Sequence, residues 1–156
     1  MILVKYYLAY GSNMSVEQMK VRCPDAVPVG IASLRDWRLM FRYHATIERE
    51  NGFMVPAVVW AISKTDEANL DRYEGAPVYY RKQIIPVTFK AFDTRRNRKV
   101  SALVYIMNNV QQITPPDDWY LAGIEEGYEH FNLERRVLRK AVDDSIYYYT
   151  RRVGNL

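Results

Sequence analysis

Residues 79–107, YYRKQIIPVTFKAFDTRRNRKVSALVYIM, decide the fold class. Apolar and polar side chains alternate from Tyr79 to Phe92, which predicts one long or bent β-strand. Pro86 interrupts this strand, and because proline donates no backbone hydrogen bond, we expect it at a sheet edge or a bulge. Asp93 to Arg98 forms a basic, solvated turn, and Lys99 to Met107 returns as a second strand. Such a long hairpin favours a mixed or barrel-like sheet over a regular βαβ array.

The rest of the chain alternates strands with a few helices. Four apolar runs predict strands: Ile2–Ala9, Val27–Leu34, Trp37–Tyr43 and Val55–Ile62, the middle two joined by a turn at Arg35–Asp36. Cap and stop residues predict four helices. The first is Met14–Val21, capped by Asn13 or Ser15, and the second is capped by Ser63 or Thr65 and ends at Gly75. The last two cover 117–131 and 132–144, with a break near Asn132. The tyrosine-rich segment 145–153 is either a last strand or a tail. We predict one α+β domain, 1–156, with a mixed β-barrel-like sheet flanked by a few helices.

Composition and charge limit the classes of function. The 156 residues are 49% apolar and 26% charged, which is typical of a folded protein. Thirteen tyrosines are an unusual number, and tyrosine favours half-buried strands and pocket walls. The net charge of +4 suits an anionic ligand but is too small to indicate nucleic-acid binding. We predict neither a membrane span nor a signal peptide, and the single cysteine, Cys23, suits a reducing, cytoplasmic setting.

Familiar catalytic and metal-binding motifs are absent from the sequence. It contains no Cys-x-x-Cys, no His-Glu-x-x-His and no standard phosphate loop. His44 and Glu48 lie in a predicted strand end and turn, where they do not reliably share one face. His130 lies at helical spacing from Glu126 and Glu129, which is more typical of a solvated helix face than of a metal site. We therefore expect no bound metal.

The first remaining candidate is the corner Tyr10–Asn13, between the first strand and the first helix. Gly11 can adopt a positive φ, and Ser12 and Asn13 are good helix caps. A strand end and a helix start leave backbone N–H groups unpaired, and such groups bind carboxylates, phosphates or a developing oxyanion. Taken alone, the corner is better explained as an ordinary strand-to-helix turn.

The second candidate is Glu74, in the last turn of the helix that Gly75 ends. A carboxylate is electrostatically disfavoured at a helix C-terminus, and neighbouring tyrosines and a low dielectric raise its pKa further. A glutamate with a raised pKa is what general acid–base catalysis requires near neutral pH. On composition alone, an exposed surface glutamate is the preferred interpretation.

Taken together, YLAYGSNM (7–14) and LDRYEG (70–75) resemble the gamma-glutamyl cyclotransferase-like family, with its AIG2-like and gamma-glutamylamine cyclotransferase relatives. VVWAIS (58–63) is similar to the core strand that precedes the family's Glu-Gly helix, and YLAGIEEGYEHF (120–131) to its helix after the hairpin. The resemblance covers nearly the whole chain in the same order. One departure is Gly127–Tyr128, where Gly-Ala is more usual; the tyrosine adds bulk near the expected pocket wall.

The resemblance implies a small mixed β-barrel and catalysis without metal or cofactor. The α-amine of a gamma-glutamyl substrate attacks its own γ-amide carbonyl, releasing 5-oxoproline and an amine or amino acid. Glu74 matches the catalytic general acid/base. The implied substrate-binding residues are Tyr7, Leu8, Ala9, Tyr10, Gly11, Ser12, Asn13 and Tyr120. Arg81 is a further guess for a positive charge near the substrate.

Two other functions stay open. A non-catalytic module on the same fold would bind a small carboxylate at the corner. A weak nucleic-acid binder would use the basic residues of the hairpin turn, although we expect no nucleic-acid or membrane partner. The sequence does not choose the gamma-glutamyl compound or the oligomeric state.

Overall fold

We describe residues 4–108 and 111–154 of a computed structural model of the chain. This part of the chain contains five strands: β1 Lys5–Ala9, β2 Val27–Arg42, β3 His44–Ile62, β4 Tyr80–Ala91 and β5 Asn97–Met107. It contains four α-helices: α1 Val16–Arg22, α2 Lys64–Glu74, α3 Asp118–His130 and α4 Arg136–Gly154. A short 3₁₀ turn, Ser12–Met14, links β1 to α1. Ile2 and Leu3, the start of the predicted first strand, lie outside the described residues.

The strands close into a barrel in the order β1-β3-β2-β4-β5. β1 runs antiparallel to β3, with Tyr7 opposite Trp60, and parallel to β5, with Tyr7 opposite Leu103. The sheet is therefore mixed, and central β1 is fully buried over Leu8 and Ala9. This confirms the predicted α+β class with a barrel-like sheet and flanking helices.

The predicted long hairpin is confirmed as β4 and β5. They pair antiparallel from Tyr80 opposite Met107 to Lys90 opposite Asn97. On its other side, β4 meets β2 at Phe89–Ala91, beyond Pro86. Pro86 therefore lies on an edge portion of the strand, where a missing N–H breaks no ladder bond, as predicted.

The predicted turn at Arg35–Asp36 is wrong, because β2 runs straight through it. Asp36 adopts a φ of 65° at a break in the β2–β3 register, and its Oδ1 accepts a hydrogen bond from the Gly52 N–H at 3.0 Å. This is a β-bulge, which bends a strand without ending it. The chain reverses at Tyr43 instead, where φ is 68° and Arg42 pairs with His44.

The tyrosine-rich segment 145–153 is neither a strand nor a tail, because α4 continues through it to Gly154. Leu138, Ala141 and Ser145 recur at helical spacing and are the buried residues of this helix. Its tyrosines, Tyr147–Tyr149, remain exposed. None of the described helices is both long enough and apolar enough to cross a membrane.

Candidate active site

The corner between β1 and α1 is built by two successive tight turns. The Met14 N–H donates to the Gly11 carbonyl at 3.1 Å, and the Ser15 N–H donates to the Ser12 carbonyl at 3.1 Å. Ser15 caps α1, since its Oγ accepts from the Gln18 N–H at 3.3 Å; Asn13 is not the cap. Within the described part of the chain, the N–H groups of residues 11–13 have no acceptor. The corner thus presents free backbone donors, as the sequence predicted.

Gly11 allows a close approach between the corner and its neighbours. Its φ is −126°, so the expected positive φ is wrong. A Cβ at this position would lie 3.3 Å from the Ala45 Cβ and 3.7 Å from the Tyr120 hydroxyl. The absence of a side chain lets the corner pack directly against the start of β3 and beside Tyr120.

Glu74 is the last residue of α2, a helix with well-formed ends. Ser63 and Asp66 form a reciprocal capping box at its start, and Gly75 ends it with a φ of 63°. The helix therefore ends at a defined residue, and its last carboxylate is directed at the corner. The Asn13 Nδ2 donates to the Glu74 Oε1 at 3.4 Å.

The corner and Glu74 share one cavity of about 260 Å³. Aromatic side chains form most of its wall, and seven of the 13 tyrosines in the chain line it. The lining residues are Tyr7, Tyr10, Gly11, Ser12, Asn13, His44, Ala45, Tyr73, Glu74, Tyr79, Tyr80, Tyr105 and Tyr120.

The Asn13 side chain makes hydrogen bonds to several polar groups of the site. Its Nδ2 also donates to the Tyr7 hydroxyl at 3.0 Å, and its Oδ1 accepts from Arg22 Nη1 at 2.5 Å. The Arg22 guanidinium lies 3.5 Å from the centre of the Tyr73 ring and 3.4 Å from the Ser12 Oγ. Arg22 therefore places a positive charge behind the corner and fixes the orientation of the Asn13 amide.

The positive charge guessed at Arg81 is misplaced. Arg81 donates to the Met107 carbonyl at 3.2 Å and does not line the cavity. The sequence gives no local signal for Arg22, because only the packing of α1 beside α2 brings it to the corner. Asn69 of α2 fixes that packing by donating to the Arg22 carbonyl at 3.0 Å.

Burial in the cavity raises the pKa of Glu74 from its ordinary value of 4.5 to about 7, and the nearby Arg22 charge opposes part of that rise. A carboxyl with this pKa is populated in both its acid and base forms at neutral pH. Glu74 can therefore accept and return a proton without a large energetic cost.

Several phenols are locked by hydrogen bonds to the backbone. The Tyr10 hydroxyl donates to the Tyr105 carbonyl at 2.6 Å, and the Tyr80 hydroxyl donates to the Ala45 carbonyl at 2.7 Å. The Ala45 N–H donates to the Tyr120 hydroxyl at 3.0 Å. Burial raises the pKa of Tyr10, Tyr80 and Tyr120, so these phenols stay neutral at physiological pH. These three tyrosines are thus held in place and form uncharged parts of the cavity wall.

Residues 7–122 match the family described as gamma-glutamyl cyclotransferase, AIG2-like. This chain belongs to that family. A mouse protein named gamma-glutamylcyclotransferase is 30% identical over an alignment of 146 residues, and the match covers 86% of this chain and 75% of the relative. A human protein of the same name is 28% identical over an alignment of 155 residues, and the match covers 90% of this chain and 80% of that relative.

A solved structure titled gamma-glutamyl cyclotransferase has the same fold. It matches with a TM-score of 0.77 and 26% identity, over 89% of this chain and 86% of its own. Family membership and fold together confirm the enzyme family and the barrel that the sequence predicted. They leave the roles of individual residues to be argued from the cavity.

Six of the eight predicted substrate-binding residues of this cyclotransferase-family chain line the cavity with Glu74; Leu8 and Ala9 do not. Leu8 and Ala9 are buried in β1. Tyr128 is fully buried and does not line the cavity, so the expected bulk at the pocket wall is wrong. Its neighbour Gly127 packs against Met14.

Six lining residues were not predicted from the sequence, and neither was Arg22 behind the corner. The six are His44, Ala45, Tyr73, Tyr79, Tyr80 and Tyr105. The unusual tyrosine content was the available signal, but it did not show which tyrosines meet. Among the described residues, no three His, Cys, Asp or Glu side chains cluster as metal ligands would.

Proposed function

We propose that this chain cyclises gamma-glutamyl compounds. The substrate's α-amine attacks its own γ-carbonyl carbon, a new C–N bond closes a five-membered ring, and the original amide C–N bond breaks. The products are 5-oxoproline and the free amine. The observation that carries this proposal is Glu74, a carboxyl with a pKa of about 7, facing the Asn13 amide at 3.4 Å inside the cavity.

Glu74 would act as a proton shuttle. In its base form it takes one proton from the α-ammonium, which frees the nitrogen lone pair for attack. It then gives that proton to the leaving nitrogen and returns to its base form. The ring nitrogen loses its second proton after attack, and the released amine takes up a proton to become an ammonium, so two protons leave the α-nitrogen and two reach the leaving nitrogen. A pKa near neutrality supports both halves of this cycle.

The corner would hold the negative charge of the substrate. The free N–H groups of Gly11, Ser12 and Asn13 are suitable donors for a carboxylate or for the developing oxyanion. The Arg22 charge behind Asn13 strengthens this positive potential. Tyr7, Tyr10 and Tyr120 supply rigid neutral walls.

The protein needs no nucleophile of its own in this reaction. Because attack is intramolecular, holding the gamma-glutamyl chain in a folded pose supplies much of the rate enhancement. A cavity of about 260 Å³ with hydrogen-bonded tyrosine walls is suited to that task.

A mass-spectrometric screen of gamma-glutamyl amino acids and amines for 5-oxoproline tests the proposal. We expect turnover by the wild-type protein and a loss of about 10²-fold or more for Glu74→Gln, because the neutral amide cannot accept a proton. Glu129→Gln, at a side chain that is 80% exposed on α3, is the matched control and should retain full activity. Full activity in Glu74→Gln would refute the assigned role.

A non-catalytic carboxylate binder is the second candidate, favoured by the free N–H groups of the corner. It predicts that gamma-glutamyl compounds raise the melting temperature while no 5-oxoproline forms. The buried Glu74 argues against it, since a carboxylate beside the site weakens the binding of an anion.

We also propose a reducing, cytoplasmic setting. Cys23 is buried and unpaired, and burial raises the pKa of its thiol to about 12. A thiol in this state is unreactive and needs no oxidising compartment. Immunoblotting of cell fractions tests the location.

A further inference from the structure

His44 and Tyr79 form a hydrogen-bonded pair in the cavity wall. The His44 Nδ1 and the Tyr79 hydroxyl are 2.8 Å apart, and both side chains line the cavity. The backbone holds Tyr79 on both sides, since its N–H donates to the Gly75 carbonyl at 2.8 Å and its carbonyl accepts from the Asn108 N–H at 3.1 Å. The His44 ring also makes an edge contact with Tyr120, at 5.0 Å between ring centres. The pair is therefore held in place before any ligand binds.

Both members of the pair are neutral at physiological pH. Burial lowers the pKa of His44, against the opposing effect of Asp117, and burial and Glu74 raise the pKa of Tyr79. A neutral imidazole has one N–H and the phenol has one O–H. Whichever of the two donates within the pair, one donor and one acceptor are left over. Among the described residues, the His44 Nε2 has no hydrogen-bond partner, and the Tyr79 hydroxyl has none besides the His44 Nδ1.

Other lining hydroxyls have less to offer a ligand. The hydroxyls of Tyr10 and Tyr80 donate to backbone carbonyls, and that of Tyr105 donates to the Asp71 carboxylate at 2.6 Å. The Tyr7 hydroxyl accepts from the Asn13 Nδ2 beside Glu74, and the Tyr120 hydroxyl accepts from the Ala45 N–H, so each already uses part of its hydrogen-bonding capacity. His44 and Tyr79 therefore provide a paired donor and acceptor that the protein itself does not use.

The pair runs from the Glu74 side of the cavity towards the protein surface. The Tyr79 N–H donates to the carbonyl of Gly75, the residue after Glu74, whereas the His44 ring lies 5.0 Å from the ring of the exposed Tyr43, whose hydroxyl donates to the Asp117 Oδ2 at 2.7 Å. The gamma-glutamyl half must lie at Glu74 and the corner for the reaction to occur. What extends past Tyr79 towards His44 is then the group attached to the scissile nitrogen.

The charges of the lining residues indicate which substituents the leaving amine can carry. The residues that line the cavity within the described chain include Glu74 but neither lysine nor arginine. Arg22 lies behind the corner and is engaged by Asn13. A carboxylate on the leaving amine would be desolvated without a cation, which is costly, whereas a neutral amide or hydroxyl matches one donor and one acceptor.

We propose that His44 and Tyr79 determine leaving-group specificity by hydrogen-bonding a neutral polar group, such as an amide or hydroxyl, on the amine that is released. This inference rests on the proposed function. It assigns this chain to gamma-glutamyl conjugates whose leaving amine carries such a group in preference to a carboxylate.

Three substrates that differ in one group test the assignment. The leaving amine of gamma-glutamyl-glycinamide carries a neutral amide. Gamma-glutamyl-isobutylamine has an isopropyl group of similar shape in its place, and gamma-glutamyl-glycine has a carboxylate. We expect kcat/KM for the glycinamide conjugate to exceed each of the others by about fivefold, the effect of one neutral hydrogen bond. In Tyr79→Phe, the glycinamide conjugate should lose most, so that its ratio to the isobutylamine conjugate falls to about one.

Two further variants separate specificity from structure. His44→Asn puts an amide where Nδ1 lies and should keep part of the preference, whereas His44→Leu should abolish it. Tyr148→Phe, at an exposed tyrosine on α4, is the matched control and should keep the wild-type ratio. Melting temperatures of all variants report on folding.

An equal loss on all three substrates in Tyr79→Phe, or an unchanged ratio, would overturn the inference, as would wild-type preference for the glycine conjugate. These results require that 5-oxoproline forms. A wild-type protein that forms none from these conjugates or from the wider library instead contradicts the proposed function itself.

Discussion

Replacing Glu74 by glutamine should make the protein more stable at alkaline pH while removing its activity. The buried carboxyl has a pKa of about 7 in the folded protein and an ordinary value of 4.5. Because the folded-state pKa is the higher one, the folded protein holds this proton more tightly than the unfolded chain does. The resulting stabilisation is complete below pH 4.5 and is lost as the pH rises through about 7.

The magnitude follows from the pKa difference. At about 1.4 kcal/mol for each pKa unit, a rise from 4.5 to about 7 corresponds to a stability change on the order of 3 kcal/mol between acid and alkaline conditions. Glutamine has nearly the same shape, does not titrate and avoids burying a charge at pH 8. For a chain of this length, about 3 kcal/mol corresponds to roughly 6–12 °C in melting temperature.

The assay is the melting temperature of wild type and Glu74→Gln from pH 4 to pH 9, followed by calorimetry or circular dichroism. The two curves should nearly coincide at the acid end, separate between pH 5 and pH 8, and run parallel above that, with the variant higher. Glu129→Gln should follow the wild type throughout. A variant that melts below wild type at pH 8, or a difference independent of pH, would refute the claim that burial raises the pKa of Glu74.

Two other predictions address the proton shuttle and the corner. In wild type, kcat/KM should rise with pH up to about 7 and then level off, because Glu74 must be unprotonated to accept a proton. Arg22→Met removes the charge that lowers the pKa of Glu74, so this rise should move to higher pH; a pH–rate curve in the same place would contradict the charge effect. Gly127→Ala places a Cβ 2.5 Å from the Met14 Cβ, which should cost about 1–3 kcal/mol in unfolding free energy and displace the corner, weakening substrate binding. Gly154→Ala, whose Cβ meets nothing within 4 Å, is the control, and equal denaturation midpoints for the two variants would refute the packing argument.

Local patterns were sufficient for much of the fold. The alternation of 79–107 predicted the β4–β5 hairpin, and Ser63 and Gly75 predicted both ends of α2. These features depend on residues near one another in sequence, where turn and cap chemistry act directly. The predictions of secondary structure were wrong where contacts with residues distant in sequence determine the conformation. Asp36 looks like a turn residue, but pairing with β3 carries β2 through it as a bulge. The predicted helix continues through the tyrosine-rich segment to the end of α4, whose buried face lies along the barrel.

The candidate site also combines features that the local sequence predicts with features that depend on tertiary packing. A corner with free N–H groups and a glutamate at a helix end could both be predicted from the sequence, because both follow from short-range backbone chemistry. That they meet depends on long-range packing, since Asn13 and Glu74 are 61 residues apart and are brought together by the folding of α1 and α2 around the barrel. The same packing brings Arg22 behind the corner and pairs His44 with Tyr79. It also removes Glu74 from water, and that burial raises its pKa to about 7, a property that no local sequence pattern specifies.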